Sequence, residues 1–132
     1  MADIMPTTPV RILLVEDDHA FADMLEKTLA HAGYSVVRAG NGVEALSFYE
    51  AQRPSLVLTD LIMPDMEGIE LVVKLRRRDP DAKIVAMSGG GLNSTAAYLS
   101  AARLLGATHT LSKPFSDEEL FAAIRDALDP RA

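Results

Sequence analysis

Acidic side chains directly follow two apolar runs that lie far apart in the chain. Glu16 and Asp17 come after residues 12–15, and Asp60 comes after residues 56–59. Carboxylates that are brought together repel one another, which raises the pKa of at least one of them unless a cation compensates. A hard divalent cation prefers oxygen ligands and suits a partial carboxylate site that keeps several waters. If the fold joins the two segments, these acids predict a site for Mg2+ (or Mn2+).

Two further polar residues, Ser88 and Lys113, follow two later runs of β-branched and apolar residues, 84–87 and 108–111. A carboxylate beside a metal can attack phosphorus and form an aspartyl phosphate, which makes Asp60 the candidate nucleophile. The lysine would supply a positive charge and the serine a hydroxyl hydrogen bond to the transferring phosphoryl oxygens. Taken singly, a serine at a strand end or a lysine in a loop indicates little. The hypothesis depends on their joint placement with the acids.

Short apolar runs alternate with longer segments of helical periodicity, which is typical of a parallel sheet with crossover helices. The predicted strands are residues 12–15, 35–39, 56–59, 84–87 and 108–111. The first and third are continuously apolar, as expected of central strands that are covered on both faces. Ligands bind outside the carboxyl ends of strands in such sheets, so the polar residues can meet at one edge.

Apolar residues at helical spacing predict the buried helix faces. These are Phe21, Met24, Leu25, Thr28 and Leu29, then Val43, Leu46 and Tyr49, and in the last helix Leu120, Phe121, Ile124 and Leu128. Local signals predict the helix ends: Asp18 is a candidate N-cap, Ser116 and Glu119 form a capping box, Gly33 and Gly106 stand at C-caps, and Pro80 follows the third helix.

Composition limits the class of protein. The 132 residues fit one domain and are 48% hydrophobic, and no apolar run approaches the roughly 20 residues that span a bilayer. We therefore expect a cytoplasmic protein without a membrane partner. The absence of cysteine excludes thiolate metal sites, and the net charge of -6 disfavours nucleic-acid binding. The basic run Arg76-Arg77-Arg78 is interpreted as a solvated helix C-terminus.

The sequence resembles the response-regulator receiver family in residues 14–18 (LVEDD), 58–64 (LTDLIMP), 87–89 (MSG) and 113–115 (KPF). The resemblance covers the chain from about Val10 to Leu128. It implies an α/β fold of the flavodoxin-like (βα)5 type, a three-layer sandwich around a five-stranded parallel sheet in the order 2-1-3-4-5. We expect a receiver domain over residues 10–129, a flexible tail over residues 1–9, and no output domain.

The same resemblance implies a role for each site residue. Asp60 would be the phosphoacceptor, Asp17 a direct metal ligand, Glu16 a ligand through water, and Ile62 a ligand through its backbone carbonyl. The peptide bond from Lys113 to Pro114 would be cis. The implied partners are a histidine kinase or histidine phosphotransfer protein as donor and a downstream protein as target, so the chain would be a signalling module rather than an enzyme.

Output is expected to differ from the usual pattern of the family. Thr110 stands where an aromatic residue is usual, so an aromatic swing is not available. Gly89, Gly90 and Gly91 follow Ser88 and predict a mobile loop that rearranges with the start of the fourth helix. Tyr98 and His109 are the candidate reporters on the face made by that helix, the fifth strand and the fifth helix. We expect a monomer or weak dimer.

Several alternatives remain beside this interpretation. A phosphorelay intermediate would use the same site. An aspartyl-phosphate phosphatase of the haloacid-dehalogenase type would need a second aspartate at position 62, which is Ile62. A flavin protein would need donors where the chain has acids, and a P-loop would need Gly-Lys-Ser/Thr after the glycines. A constitutive scaffold would not need the intact set Glu16, Asp17, Asp60, Ser88 and Lys113.

Overall fold

The computed structural model describes residues 9–62, 68–89 and 95–129, without the side chains of Thr95, Ala96 and Tyr98. Its strands are β1 (Arg11–Val15), β2 (Ser35–Ala39), β3 (Leu56–Asp60), β4 (Ile84–Ser88) and β5 (His109–Ser112). Its helices are α1 (His19–His31), α2 (Gly42–Gln52), α3 (Gly68–Arg78), α4 (Thr95–Leu105) and α5 (Asp117–Leu128). No helix within these ranges is both long and apolar enough to cross a membrane.

The strands form one parallel sheet in the order β2-β1-β3-β4-β5, so the predicted flavodoxin-like topology is confirmed. Pairing register decides what meets at the carboxyl edge. Val15 of β1 is paired with Thr59 of β3, which sets the residues after β1 beside the end of β3. On the other side, Ser88 of β4 is paired with Ser112 of β5, so Lys113 follows at the same edge.

Alternate strand residues pack against different helix layers, because successive side chains of a strand point to opposite faces. Leu13 and Val15 of β1 belong to the core cluster that includes residues of α2, α3 and α4. Ile12 and Leu14 belong to the other cluster, with residues of α1 and α5. All five residues of β3 are buried. The predicted three-layer sandwich with central apolar strands is confirmed.

The helix-end signals are confirmed where the structure describes them. Asp18 caps α1 by accepting from the Phe21 N–H at 3.1 Å. Ser116 and Glu119 form the predicted capping box at the start of α5. Gly33 and Gly106 have φ of 99° and 134°, values that residues with a Cβ rarely adopt.

Two predicted core residues are wrong: Met24 is 52% exposed and Val43 is 58% exposed. Alanines and glycines lie on the buried faces instead, since α1 buries Ala22 with its leucines and α2 buries Gly42 and Ala45. Small side chains let a helix approach the sheet closely. The side of the helix with these small residues then faces the sheet, and the larger residues Met24 and Val43 lie outside the buried face. The hydrophobic pattern alone does not distinguish the centre of a helix face from its margin.

The fifth strand begins at His109, one residue later than predicted. Thr108 still closes the ladder with β4: its N–H donates to the Ile84 carbonyl at 2.7 Å, and its hydroxyl accepts from the Ile84 N–H at 3.0 Å.

The interpretation of residues 76–78 as a solvated run is wrong for Arg76. Its guanidinium donates to the carbonyl of Gly106 at 2.7 Å, to that of Pro80 at 2.6 Å and, more weakly, to that of Asp79 at 3.4 Å. Arg78 pairs with Glu50 of α2. Arg76 thus links the end of α3 to the residue after α4, and Arg78 links the end of α3 to α2.

Candidate functional site

Three carboxylates meet at the carboxyl edge of the sheet. One ligand oxygen from each of Glu16, Asp17 and Asp60 lies within 4.8 Å of the others. Glu16 and Asp60 are almost completely buried, with exposures of 4% and 7%, whereas Asp17 is exposed. Asp60 ends the fully buried strand β3 and Glu16 directly follows β1, so the cluster arises directly from the strand register.

Glu16 is held at both carboxylate oxygens. Oε1 accepts from Nζ of Lys113 at 3.0 Å, and Oε2 accepts from the backbone N–H of Asp18 at 3.1 Å. Burial raises the pKa of this carboxyl and the nearby charge of Asp60 adds to the effect, while the hydrogen bonds from Asp18 and Lys113 oppose it. The side chain is fixed in position but lies in surroundings that disfavour its charge.

Asp60 has a similar environment. Its Oδ1 accepts from the backbone N–H of Leu61 at 3.0 Å, and the backbone N–H groups of Leu61 and Ile62 both act to lower its pKa. Nζ of Lys113 lies 3.6 Å from the same Oδ1. Burial raises the pKa of Asp60 and Asp17 adds repulsion, whereas Lys113 lowers it. A hard cation at the three oxygens would relieve this repulsion, so the donor set fits Mg2+.

Lys113 reaches the acids from the segment after β5. Its backbone N–H donates to the carbonyl of Ser88 at 2.8 Å, which continues the β4–β5 ladder by one residue. The bond from Lys113 to Pro114 is cis, as expected from the resemblance. The Lys113 side chain is 23% exposed, and its Nζ lies 4.4 Å from the ring centroid of Phe21. One ammonium group therefore contacts two carboxylates and an aromatic face.

Ser88 ends β4 and is completely buried. Its Oγ has no hydrogen-bond partner among the described residues. A buried hydroxyl without a partner costs about 1–3 kcal/mol, so such groups call for an explanation. Asp60, at the end of β3, is paired with Met87, the residue before Ser88 in β4. The Ser88 hydroxyl therefore lies at the end of the strand beside β3.

Sequence reasoning missed the packing role of two glycines. A Cβ on Gly68 would lie less than 3.0 Å from the Asp60 carbonyl oxygen and the Leu61 Cα. A Cβ on Gly89 would come equally close to the Lys113 side chain, so this residue is needed for close packing besides its predicted mobility. The only signal for Gly68 was a glycine at the start of α3, which is weak by itself.

The predicted output residues are described in part. Thr110 lies half-buried on β5, and its N–H donates to Nδ1 of His109 at 3.2 Å. Nε2 of His109 lies 3.5 Å from Oδ2 of Asp126 on α5. Gly90 and Gly91 lie outside the described residues, and so does the side chain of Tyr98.

Comparison with known proteins agrees with the fold. A family model for the response regulator receiver domain matches residues 12–125. The response regulator MprA of Mycobacterium sp. (strain KMS) is 40% identical over 121 residues, which are 91% of this chain and 51% of the relative. The protein of the same name from Mycobacterium tuberculosis (strain ATCC 25177 / H37Ra) is 38% identical over 120 residues, 90% of this chain and 50% of the relative. The chain spans about half the length of these relatives.

Solved structures are also similar. A CheY-like response regulator receiver domain protein from Methanospirillum hungatei JF-1 has a TM-score of 0.81 and 32% identity, with 92% of this chain and 95% of that one covered. A receiver domain protein from Clostridium thermocellum has a TM-score of 0.86 at 22% identity, with 92% and 96% covered. The second likeness concerns the fold alone.

Proposed function

This chain belongs to the response regulator receiver domain family of two-component signalling modules, and we propose that Asp60 is the residue on which it accepts a phosphoryl group. The observation that carries the proposal is the position of Lys113. Its Nζ lies 3.0 Å from Glu16 and 3.6 Å from Asp60, a buried carboxylate whose oxygen lies within 4.8 Å of those of Glu16 and Asp17. This places a fixed positive charge where phosphoryl oxygens would gather.

The reaction is an in-line displacement. A carboxylate oxygen of Asp60 bonds to phosphorus while the phosphorus–nitrogen bond of a phosphohistidine breaks, and the electron pair stays on the imidazole nitrogen. The Leu61 N–H group holds the carboxylate in place. Lys113 then pairs with one phosphoryl oxygen, and the unpartnered hydroxyl of Ser88 donates to another.

A divalent cation completes the proposed site. Asp17 and Asp60 would bind it directly, Glu16 through water, and Ile62 through its backbone carbonyl. When bound, Mg2+ would offset the charge of the three acids and of the phosphoryl oxygens. The exposed position of Asp17 makes it the ligand most accessible to an arriving hydrated ion.

The proposed phosphoryl donor is a histidine kinase or a histidine phosphotransfer protein, and the proposed reader is another protein. We place output on the face of α4, β5 and α5, driven by movement of Ser88 and of the loop that begins at Gly89. Thr110 is too small to swing as an aromatic residue would. The pair of His109 and Asp126 joins β5 to α5 on this face and is positioned to register the movement.

Intact mass measurement tests the phosphoacceptor. Incubation with Mg2+ and phosphoramidate, a small donor with a phosphorus–nitrogen bond, should raise the mass by one phosphoryl group. Asp60→Asn should show no rise, because an amide is not a nucleophile toward phosphorus. Asp18→Asn is the matched control, since asparagine also caps helices and that variant should be modified normally. An equal rise in Asp60→Asn protein would disprove the assignment.

Amide NMR shifts before and after modification test the output route. Changes should extend from Ser88 through α4 and to His109. Changes confined to the surroundings of Asp60, with none in α4 or β5, would contradict it.

A further inference from the structure

The aromatic ring of Phe21 contacts the ammonium group that serves the three carboxylates. Nζ of Lys113 lies 4.4 Å from the ring centroid, well within the distance at which a cation is attracted to an aromatic face. The same Nζ donates to Glu16 at 3.0 Å. We propose that Phe21 is a positioning residue for phosphoryl transfer, which holds the Lys113 ammonium toward Glu16 and Asp60. This inference rests on the proposed function of Asp60.

The backbone places the ring close to the acids. Phe21 lies in the first turn of α1, and its N–H donates to the capping carboxylate of Asp18 at 3.1 Å. The helix thus starts directly after Glu16 and Asp17, and the N-cap fixes where the ring emerges. A shift of the first turn would move the ring and the acidic segment together.

A second aromatic residue fixes the orientation of the ring. Phe115, two residues after Lys113, meets Phe21 at a centroid distance of 6.1 Å and an interplanar angle of 70°. This edge-to-face arrangement is a favoured one for aromatic pairs. Phe21 therefore makes two contacts with this segment: its ring lies against the Lys113 ammonium and packs against the ring of Phe115.

Lysine needs such a constraint more than a residue with a rigid head group would. Its ammonium is a compact, strongly hydrated charge on a flexible four-carbon stem. The side chain is 23% exposed, so water competes for the ammonium. The ring excludes water from one side and also attracts the charge, which a leucine of similar size would not do. A charge already in place costs no reorganisation when phosphoryl oxygens arrive.

The test compares Phe21→Leu, which removes the ring, with Phe21→Tyr, which keeps an aromatic face. With phosphoramidate and saturating Mg2+, the rate constant for phosphoryl uptake should fall roughly threefold to tenfold in Phe21→Leu and stay within about twofold of the parent in Phe21→Tyr. Phe21→Met provides a second variant without a ring if the leucine variant does not fold. Phe48→Leu is the matched control, because Phe48 contacts a cation, Arg11 at 5.8 Å, on α2 away from the acids. It should not change the rate.

The NMR shift of the Lys113 side chain tests the contact without phosphoryl transfer. Its ε-methylene protons, assigned with Lys113→Arg, should be shifted upfield by the ring in the parent and in Phe21→Tyr and return to the usual lysine position in Phe21→Leu. Equal rates in the parent and Phe21→Leu, equal slowing in Leu and Tyr variants, or an unshifted Lys113 signal would each overturn the inference. Failure of the parent chain to be modified at Asp60 would instead overturn the proposed function.

Discussion

Nζ of Lys113 donates to Oε1 of Glu16 at 3.0 Å, although the two residues are 97 positions apart in the sequence. The pair joins the segment after β5 to the segment after β1 across the carboxyl edge of the sheet. Since Glu16 is buried and Lys113 is mostly covered, removal of either partner would leave a buried charge without its counter-charge.

Lys113→Met is expected to lower the free energy of unfolding by about 2 kcal/mol at about pH 7, because it leaves the carboxylates of Glu16 and Asp60 buried without their cation. A carboxyl whose pKa is raised by folding stabilises the protein below its ordinary pKa and loses that contribution as pH rises. The variant should therefore approach the stability of the parent at about pH 4. Urea unfolding at both pH values measures this, with exposed Lys27→Met as a neutral control; a deficit that is equal at both values would contradict it.

Asp17→Ala is expected to lose most of its affinity for Mg2+, because a directly coordinating carboxylate is removed. Without metal its melting temperature should equal or exceed that of the parent, since one of three repelling acids is gone. Asp18→Ala provides the opposite control: it should lose about 1 kcal/mol of stability with its helix cap and retain Mg2+ binding. Calorimetric titration with Mg2+ measures the affinities, and unchanged binding in Asp17→Ala would refute the ligand assignment.

Gly68→Ala is expected to destabilise the fold by about 2–3 kcal/mol, because the new methyl group would meet the backbone of Asp60 and Leu61 at less than 3.0 Å. Backbone atoms cannot move aside as the end of a flexible side chain can. Gly40→Ala is the control, since the nearest atom to its added Cβ is 4.0 Å away and stability should change by less than about 0.5 kcal/mol. Similar melting temperatures for the two variants would show that the loop after β3 adapts.

Tyr49→Phe is expected to cost about 1 kcal/mol at neutral pH, because the Tyr49 hydroxyl donates to Asp79 at 2.5 Å. This hydrogen bond lowers the pKa of Asp79, so its contribution is present above the ordinary carboxyl range and is lost as pH falls through the lowered pKa. The difference between parent and variant should therefore shrink below about pH 4. Tyr34→Phe serves as control, because the Tyr34 hydroxyl has no partner among the residues described. A difference that does not change with pH would exclude this linkage.

The phosphoryl group on Asp60 is expected to persist, because Ile62, two residues after the acceptor, carries no acid or amide that could orient an attacking water. Its side chain is 46% exposed, so a polar replacement can be accommodated. Ile62→Gln should accelerate loss of the phosphoryl group, followed by intact mass over time in Mg2+. Val43→Gln makes the same change at a 58% exposed site on α2 and should have no effect. Loss from the parent within seconds would contradict the expectation.

The sequence by itself determined the succession of strands and helices along the chain, the N-caps of α1 and α5, and the set of polar residues at the strand ends. These depend on local properties: hydrophobic periodicity, the side chains that cap helices, and the conformations open to glycine. Once strands alternate with helices, a parallel sheet brings Glu16, Asp60, Ser88 and Lys113 to one edge whatever the details of packing.

Only the tertiary structure decided which side chains touch. It turned Met24 and Val43 to the surface, directed Arg76 to the carbonyl of Gly106, and set Phe21 against the Lys113 ammonium. Each outcome depends on how closely a helix approaches the sheet and at what rotation. Many residues distant in sequence set that approach together, so no local pattern of residue types contains it.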